Sequence, residues 1–198
     1  MHPQPMRQRT LLVALRKSSL VALLLSLTVI STAQRVSFPG RVSESKSPNG
    51  RYIIQNLDYD DRELAHDLVL LDTKTGTKTM IYSYGRSVDL LWSPESDAFV
   101  INDHEGSNST RPLLYSLPWT DHKTDLSEKL ADFLRDRHDE DLVRGNDHVY
   151  FAVRRWIGPH ELLCKLEAYG DASPHGSGYK GYYVYRIGEG FRVYNPKT

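Results

Sequence analysis

Two Ser-Pro corners constrain the fold of this chain more than any other feature of its sequence. One opens the stretch "SPNGRYIIQNLD" (47–58), and the other lies 46 residues later within "LLWSPESDAFVIND" (90–103). At each corner a short turn leads into an apolar strand that ends in Asp, and Pro fixes such a turn without needing an amide donor. Gly158 and Pro159, preceded by Trp156, repeat the arrangement loosely. A spacing in the forties is typical of small sheet units that repeat along a chain and bury their faces by stacking.

The segments around these corners are short, extended and rich in β-branched and aromatic residues, as strands are. About ten such strands are predicted, so the fold class is mainly β. One segment departs from the pattern, because apolar residues from Leu126 to Leu134 recur at helical spacing. This spacing predicts one inserted amphipathic helix at about 125–138, with Thr124 or Asp125 capping its first turn.

The segments "WSPES" and "SPNGRYII" resemble the W-S-P-D-G-x-x-apolar signature of TolB-type, WD40-like (PD40) beta-propeller repeats of exported bacterial proteins. The wider pattern is similar to small secreted bacterial proteins with a propeller-like fold. This chain departs from the signature at Lys46, which stands where the first repeat would have Trp. A closed propeller has at least four blades, whereas this chain has room for about three. The resemblance therefore implies antiparallel blade-like sheets of an incomplete propeller, with a β-sandwich as the alternative, and it supplies no activity.

Residues 1–33 have the three parts of a secretory signal peptide. Four basic residues come first, residues 20–30 are apolar except for one Ser and one Thr, and the small residues Ser31, Thr32 and Ala33 follow. The apolar part is shorter than the roughly 20 residues of a membrane-spanning helix. We expect cleavage after Ala33 and a periplasmic or secreted protein with no stable membrane span, and the alternative is a retained anchor. Residues 34–47 are predicted to be a flexible lead-in, and residues 48–198 a single β domain.

The net charge of the chain bears on whether it binds nucleic acid. The whole chain is neutral, and without the four basic residues of the leader it keeps 21 basic and 25 acidic side chains, a net charge of about −4. A nucleic-acid partner calls for a basic face, so none is expected.

Cys164 is the one cysteine, so the chain has no internal disulfide, and its thiol is predicted to be a buried apolar group.

The loop at 102–110, "NDHEGSNST", is the candidate binding site. It directly follows a predicted buried strand and concentrates polar side chains at the strand's end, where propeller-like folds meet their ligands. The candidate binding residues are Asp103, His104, Glu105, Ser107 and Asn108. The alternative is turn architecture, because Asp and Asn also close turns by bonding to nearby backbone.

Motifs for catalysis are absent from the sequence. No Gly-x-Ser-x-Gly elbow and no His-Glu-x-x-His pair occurs, so we predict no metal and no cofactor. The tyrosines at 179–185 alternate, which predicts that Tyr183 and Tyr185 share one face and that Tyr182 lies on the other. The sequence thus favours an exported, non-catalytic binding or protein-interaction module whose partner is a protein or carbohydrate of the cell envelope. The alternative is a periplasmic hydrolase with its site at the 102–108 loop.

Overall fold

The computed structural model describes residues 35–59, 66–118, 123–170 and 178–195. Within these ranges the protein is mainly β, with antiparallel and mixed sheets and one α-helix. The elements in chain order are β1 (Arg35–Phe38), β2 (Glu44–Lys46), β3 (Tyr52–Asp58), β4 (His66–Asp72), β5 (Lys78–Tyr84), β6 (Val88–Trp92), β7 (Ala98–Asp103), β8 (Ser109–Ser116), β9 (Lys123–Asp125), α1 (Leu126–Asp136), a short 3₁₀ helix (Glu140–Leu142), β10 (His148–Gly158), β11 (Glu161–Tyr169), β12 (Tyr179–Arg186) and β13 (Gly190–Val193).

The strands form two sheets. The four-stranded sheet is antiparallel with the order β2-β3-β4-β5, and the larger sheet runs β1-β6-β7-β8-β10-β11-β12-β13, with β9 paired to β8. The larger sheet has two antiparallel halves: a central half (β1 and β6–β9) and a C-terminal half (β10–β13). They join where Ser109 and Thr110 of β8 pair in parallel with Val149 and Tyr150 of β10. Three sheet units of about four strands each therefore follow one another along the chain.

Each face of the central half supports a separate hydrophobic core. Leu90 and Ile101 belong to the core shared with the four-stranded sheet, and their neighbours Leu91 and Val100 belong to the core shared with the C-terminal half. Because side chains alternate along a strand, strands β6 and β7 are buried on both sides. This explains why every residue of the two strands is buried.

The two tryptophans near the corners fill the spaces between the units. Trp92 is 2% exposed and packs with the four-stranded sheet, while Trp156 is 8% exposed and packs between the central and C-terminal halves. The indole of Trp156 also donates to the Leu91 carbonyl at 3.3 Å. The sequence prediction that sheet units bury their faces against one another agrees with these positions.

The two Ser-Pro corners have the same hydrogen bonds. The Ser47 amide donates to the Tyr52 carbonyl at 2.8 Å, and the Tyr52 amide donates to the Ser47 hydroxyl at 3.0 Å. The Ser93 amide and hydroxyl form the same two bonds with Ala98, at 2.8 and 3.0 Å. A Ser hydroxyl thus takes the place of a backbone acceptor at the start of both hairpins.

The third residue after each corner serine has a left-handed backbone. Gly50 has φ +71° and Ser96 has φ +63°, a region that favours glycine because other residues meet their own Cβ there. Ser96 is fully buried, and its hydroxyl accepts a bond at 3.0 Å from the Asn49 amide of the other corner. The two corners therefore touch each other directly.

Helix α1 covers the junction between the two halves of the larger sheet. Its buried face, Leu126, Leu130 and Leu134, joins the core between the halves. Asp125 caps the helix by accepting bonds from the first-turn amides, which confirms one of the two caps predicted from the sequence. The helix begins and ends within two residues of the predicted bounds.

The segment 34–47 differs from its predicted role as a flexible lead-in. Strand β1 pairs with β6, more than 50 residues later, and β2 pairs with β3. Both strands are short and lie at sheet edges. Strand β1 alternates polar and apolar over only four residues and β2 has no apolar residue, so neither gives the longer alternation by which strands are found in a sequence. The predicted lead-in is corrected accordingly, since this segment belongs to both sheets.

Candidate functional site

The five predicted binding residues, which lie at the end of β7 and in the loop after it, have different surroundings. His104 and Ser107 line a cleft of about 410 Å³ beside the junction of the two halves. Asp103 lies on the opposite face of β7, where its carboxylate accepts a bond from the Tyr82 hydroxyl of the four-stranded sheet. Glu105 pairs with Arg111 at 3.5 Å, and Asn108 accepts the Ser107 hydroxyl at 2.8 Å. Only two of the five side chains therefore reach the cleft.

The cleft, called here the junction cleft, lies between the central half and the C-terminal half of the larger sheet. Its charged and polar lining residues are Arg35, Arg86, Ser87, His104, Ser107, Ser109 and Thr110 from the central side, and Tyr150, Arg154, Lys165 and Glu167 from the C-terminal side. Tyr150 closes one edge by donating to the Ser107 carbonyl at 2.5 Å.

Asn102 holds the two sides of the cleft together from within the core. Its side chain is fully buried, and its amide group donates to the Val153 carbonyl and accepts from the Val153 amide, both at 2.9 Å. The Asn102 side chain thus makes the two hydrogen bonds that a neighbouring strand would otherwise make with the backbone of Val153. His104 follows Asn102 by two residues and Arg154 follows Val153 by one, so this clamp joins the two segments that line the cleft.

Asp89 forms a buried charge beneath the cleft. It accepts bonds from the Ser37 hydroxyl at 2.5 Å, from His104 Nε2 at 2.9 Å and from the Arg35 guanidinium. Burial raises the pKa of the Asp89 carboxyl, but these three donors outweigh burial, and the pKa is lowered below its ordinary value. Asp89 is therefore a carboxylate at neutral pH and neutralises Arg35.

His104 is fixed at both ring nitrogens. Nε2 lies 2.9 Å from Asp89 Oδ2, and Nδ1 lies 3.2 Å from the Thr110 hydroxyl. A carboxylate can only accept, so the Nε2 position carries a proton. The Asp89, His104 and Thr110 side chains form a chain of the same residue types as an acid, base and hydroxyl nucleophile. Thr110, however, is buried.

Two arginines supply the unbalanced charge of the junction cleft. Lys165 pairs with Glu167 at 2.6 Å, and Arg35 pairs with Asp89. Within the described part of the chain, neither Arg86 nor Arg154 has an ion-pair partner, and both line the cleft. The cleft therefore has two free guanidinium groups and can attract an oxyanion.

An aromatic surface adjoins the cleft. The rings of His148 and Tyr169 stack at 4.8 Å with an interplanar angle of 16°, and Tyr150 lies 5.9 Å from Tyr169. A second depression of about 390 Å³ is lined by Tyr150, Glu167, Tyr169 and Tyr179, among others, so it shares Tyr150 and Glu167 with the cleft. We call His148, Tyr150 and Tyr169 the aromatic surface, because the Tyr179 ring packs against the core on the other face of the sheet, where its hydroxyl bonds to that of Tyr183 at 2.8 Å.

The tyrosines of β12 follow the alternation predicted for them. Tyr183 and Tyr185 are buried in the core beneath α1, and Tyr182 is exposed on the other face. The aromatic surface instead comes mainly from β10 and β11. For Tyr150 the sequence did contain a signal, because it alternates with the apolar residues Val149 and Phe151.

Metal ligands do not cluster in the described residues, where no group of three or more His, Cys, Asp or Glu side chains is placed to hold an ion. Over the same residues, no helix has the length and apolar character needed to cross a membrane.

Comparison of the chain with protein-family models and with curated proteins finds no match.

Proposed function

We propose that this protein is an exported, non-catalytic binding module built as an incomplete propeller, and that its ligand occupies the junction cleft. The observation that carries the proposal is the pair of arginines, Arg86 and Arg154, which line the cleft without ion-pair partners among the described residues. A guanidinium group offers a planar set of donors suited to oxyanions. A cleft that keeps two of them unpaired is arranged for a ligand that supplies the missing charge.

The propeller-like architecture is supported by the equivalence of the Ser-Pro corners and by the stacking of three sheet units. Export is supported by the three-part segment at 1–33. Ligands of such folds meet the loops at strand ends, and the junction cleft is bordered by the loop between β7 and β8. Binding proteins commonly carry their binding residues on loops that a rigid scaffold positions.

A non-catalytic role is supported by the burial of Thr110, the hydroxyl that His104 Nδ1 faces at 3.2 Å. Thr110 is only 7% exposed, and a nucleophile must reach the substrate atom that it attacks. In this arrangement the imidazole serves to position the loop and to cover Asp89.

The alternative is a hydrolase at the 102–108 loop, and the chain from Asp89 through His104 to Thr110 favours it. In that case Thr110 would act as the nucleophile after a small movement of the loop. Hydrolysis of ester and phosphate substrates, lost in Thr110→Val but retained in Ser107→Ala, would establish this alternative and remove the proposal of a non-catalytic module.

The direct test blocks the cleft. Ala152 lines the cleft and is half-buried, so Ala152→Phe fills it without adding charge. A library of small anions and sugars is screened against the purified protein by thermal shift, and hits are measured by calorimetry. We expect at least one ligand whose binding is lost in Ala152→Phe and retained in Ile157→Phe, an exposed position of the same strand. Hits that bind both variants equally would overturn the proposal.

A further inference from the structure

Resting on the proposed function, we infer that the ligand of the junction cleft is an oligosaccharide that carries one or two oxyanionic groups. The oxyanion contacts Arg86 and Arg154, and a sugar ring lies on the aromatic surface beside Tyr169. The chemistry shared by the candidates is a carboxylate, sulfate or phosphate attached to a saccharide.

The charges of the cleft favour few anionic groups rather than many. Two guanidinium groups remain after Lys165 and Arg35 have been paired with Glu167 and Asp89. They match one bidentate oxyanion or two single ones. The remainder of the protein has an excess of acidic side chains once residues 1–33 are set aside, and this excess repels a polyanion of high charge density.

The size of the site favours a ligand longer than a free ion. The cleft and the neighbouring depression have volumes of about 410 and 390 Å³ and share Tyr150 and Glu167 as lining residues. An inorganic anion would contact the two arginines and leave the aromatic surface empty. A ligand of two or three rings fills both depressions.

The aromatic surface favours a sugar ring as the second element. The face of a tyrosine ring is electron-rich, and the C–H groups on one side of a pyranose carry a slight positive charge, so the two surfaces attract each other. Glu167 and Lys180, which line the same depression, provide an acceptor and a donor for sugar hydroxyls. A planar base could also stack there, so a nucleotide is the ligand against which the test must discriminate.

The experiment measures binding of four probes to the purified protein by isothermal titration calorimetry. The probes are digalacturonate, a trisaccharide with one sulfate group, the neutral maltotriose and uridine monophosphate, and inorganic phosphate serves as a competitor. We expect micromolar to millimolar binding of one anionic saccharide, at least tenfold stronger than binding of maltotriose. The carboxylate and sulfate arms decide which oxyanion is preferred.

Matched variants assign the two contacts. Arg154→Gln is expected to weaken anionic saccharide binding at least tenfold, whereas Arg155→Gln, at the next and equally exposed position, changes it less than twofold. Tyr169→Leu is expected to weaken binding at least fivefold, and Tyr169→Phe, which keeps the ring, less than twofold. Thermal unfolding of each variant verifies that the fold is intact.

The possible failures separate the two proposals. Equal binding of maltotriose, or insensitivity to Arg154→Gln, would overturn the oxyanion inference and leave a cleft that binds neutral sugars. Stronger binding of uridine monophosphate than of either anionic saccharide, or stronger binding of phosphate that is insensitive to Tyr169→Leu, would overturn the saccharide inference and leave the binding module. Saccharide binding that survives Ala152→Phe, or no binding of any probe in the panel or the wider library, would overturn both.

Discussion

The Asn102 clamp yields the sharpest prediction about stability, because one side chain satisfies two backbone groups in the core. In Asn102→Ala, both the amide and the carbonyl of Val153 lose their partners, and both lie where the Asn102 side chain is fully buried. Each unsatisfied buried group costs about 1–3 kcal/mol. We therefore expect the free energy of unfolding to fall by about 4 kcal/mol, and the melting temperature by roughly 10 °C for a chain of this size.

The assay combines urea unfolding with amide hydrogen exchange at Val153. Asn108→Ala is the control, because Asn108 is exposed and its side chain accepts the Ser107 hydroxyl at the surface; its effect is expected within about 0.5 kcal/mol. A loss below about 1 kcal/mol in Asn102→Ala, together with unchanged exchange at the Val153 amide, would refute the clamp.

Asn102→Asp adds a signature that depends on pH. The introduced carboxylate can accept from the Val153 amide but cannot donate to its carbonyl, whereas the protonated carboxyl can do both. Its folded-state pKa is raised by burial, so the stability of this variant is recovered as pH falls through that raised pKa. Asn102→Ala has no titrating group and recovers nothing relative to the unchanged protein. Equal pH profiles for the two variants would contradict the proposed geometry.

Three further predictions concern single positions. Burial raises the pKa of Asp103 despite the Tyr82 hydrogen bond, so Asp103→Asn should stabilise the fold by about 1 kcal/mol at pH 7. Urea unfolding should show this gain disappear as pH falls towards the ordinary pKa of 3.8, because the carboxyl of the unchanged protein is then protonated in both the folded and the unfolded state. A gain that grows in acid would contradict this prediction. Gly50→Ala should cost about 1 kcal/mol, since only its φ of +71° resists a Cβ, whereas Gly106→Ala should cost less than half as much; equal losses would contradict this reading. Burial raises the pKa of the Cys164 thiol, so a thiol reagent should label native protein about a thousandfold more slowly than urea-unfolded protein, and rapid native labelling would place the thiol at the surface.

Local patterns were sufficient to predict the mainly β class of the fold and its helix. The strand after the second Ser-Pro corner ends in Asp103 as predicted, and helix α1 lies inside its predicted range. Alternation and helical spacing are properties of a few consecutive residues, so they are visible in the sequence. Strand β9 escaped prediction because it has three residues and is defined only by its pairing with β8.

The candidate site was predicted less completely, because it depends on how the sheets stack. The loop after β7 was identified from its polar residues, but alternation along the strand sends Asp103 to the face opposite Asn102, away from the cleft. Arg86 lies in the connection between β5 and β6, and Arg154 lies within β10. No local pattern joins two arginines 68 residues apart, since only the packing of the two halves brings them to one cleft.

The hydrogen bond from the Asn49 amide to the Ser96 hydroxyl makes the position of each Ser-Pro corner depend on that of the other. An inserted residue in either turn would displace the other corner and swing one sheet against its neighbour. The turn at Gly188 lies in open space and can lengthen without such a consequence. The contact between the corners therefore fixes the number of residues in each turn.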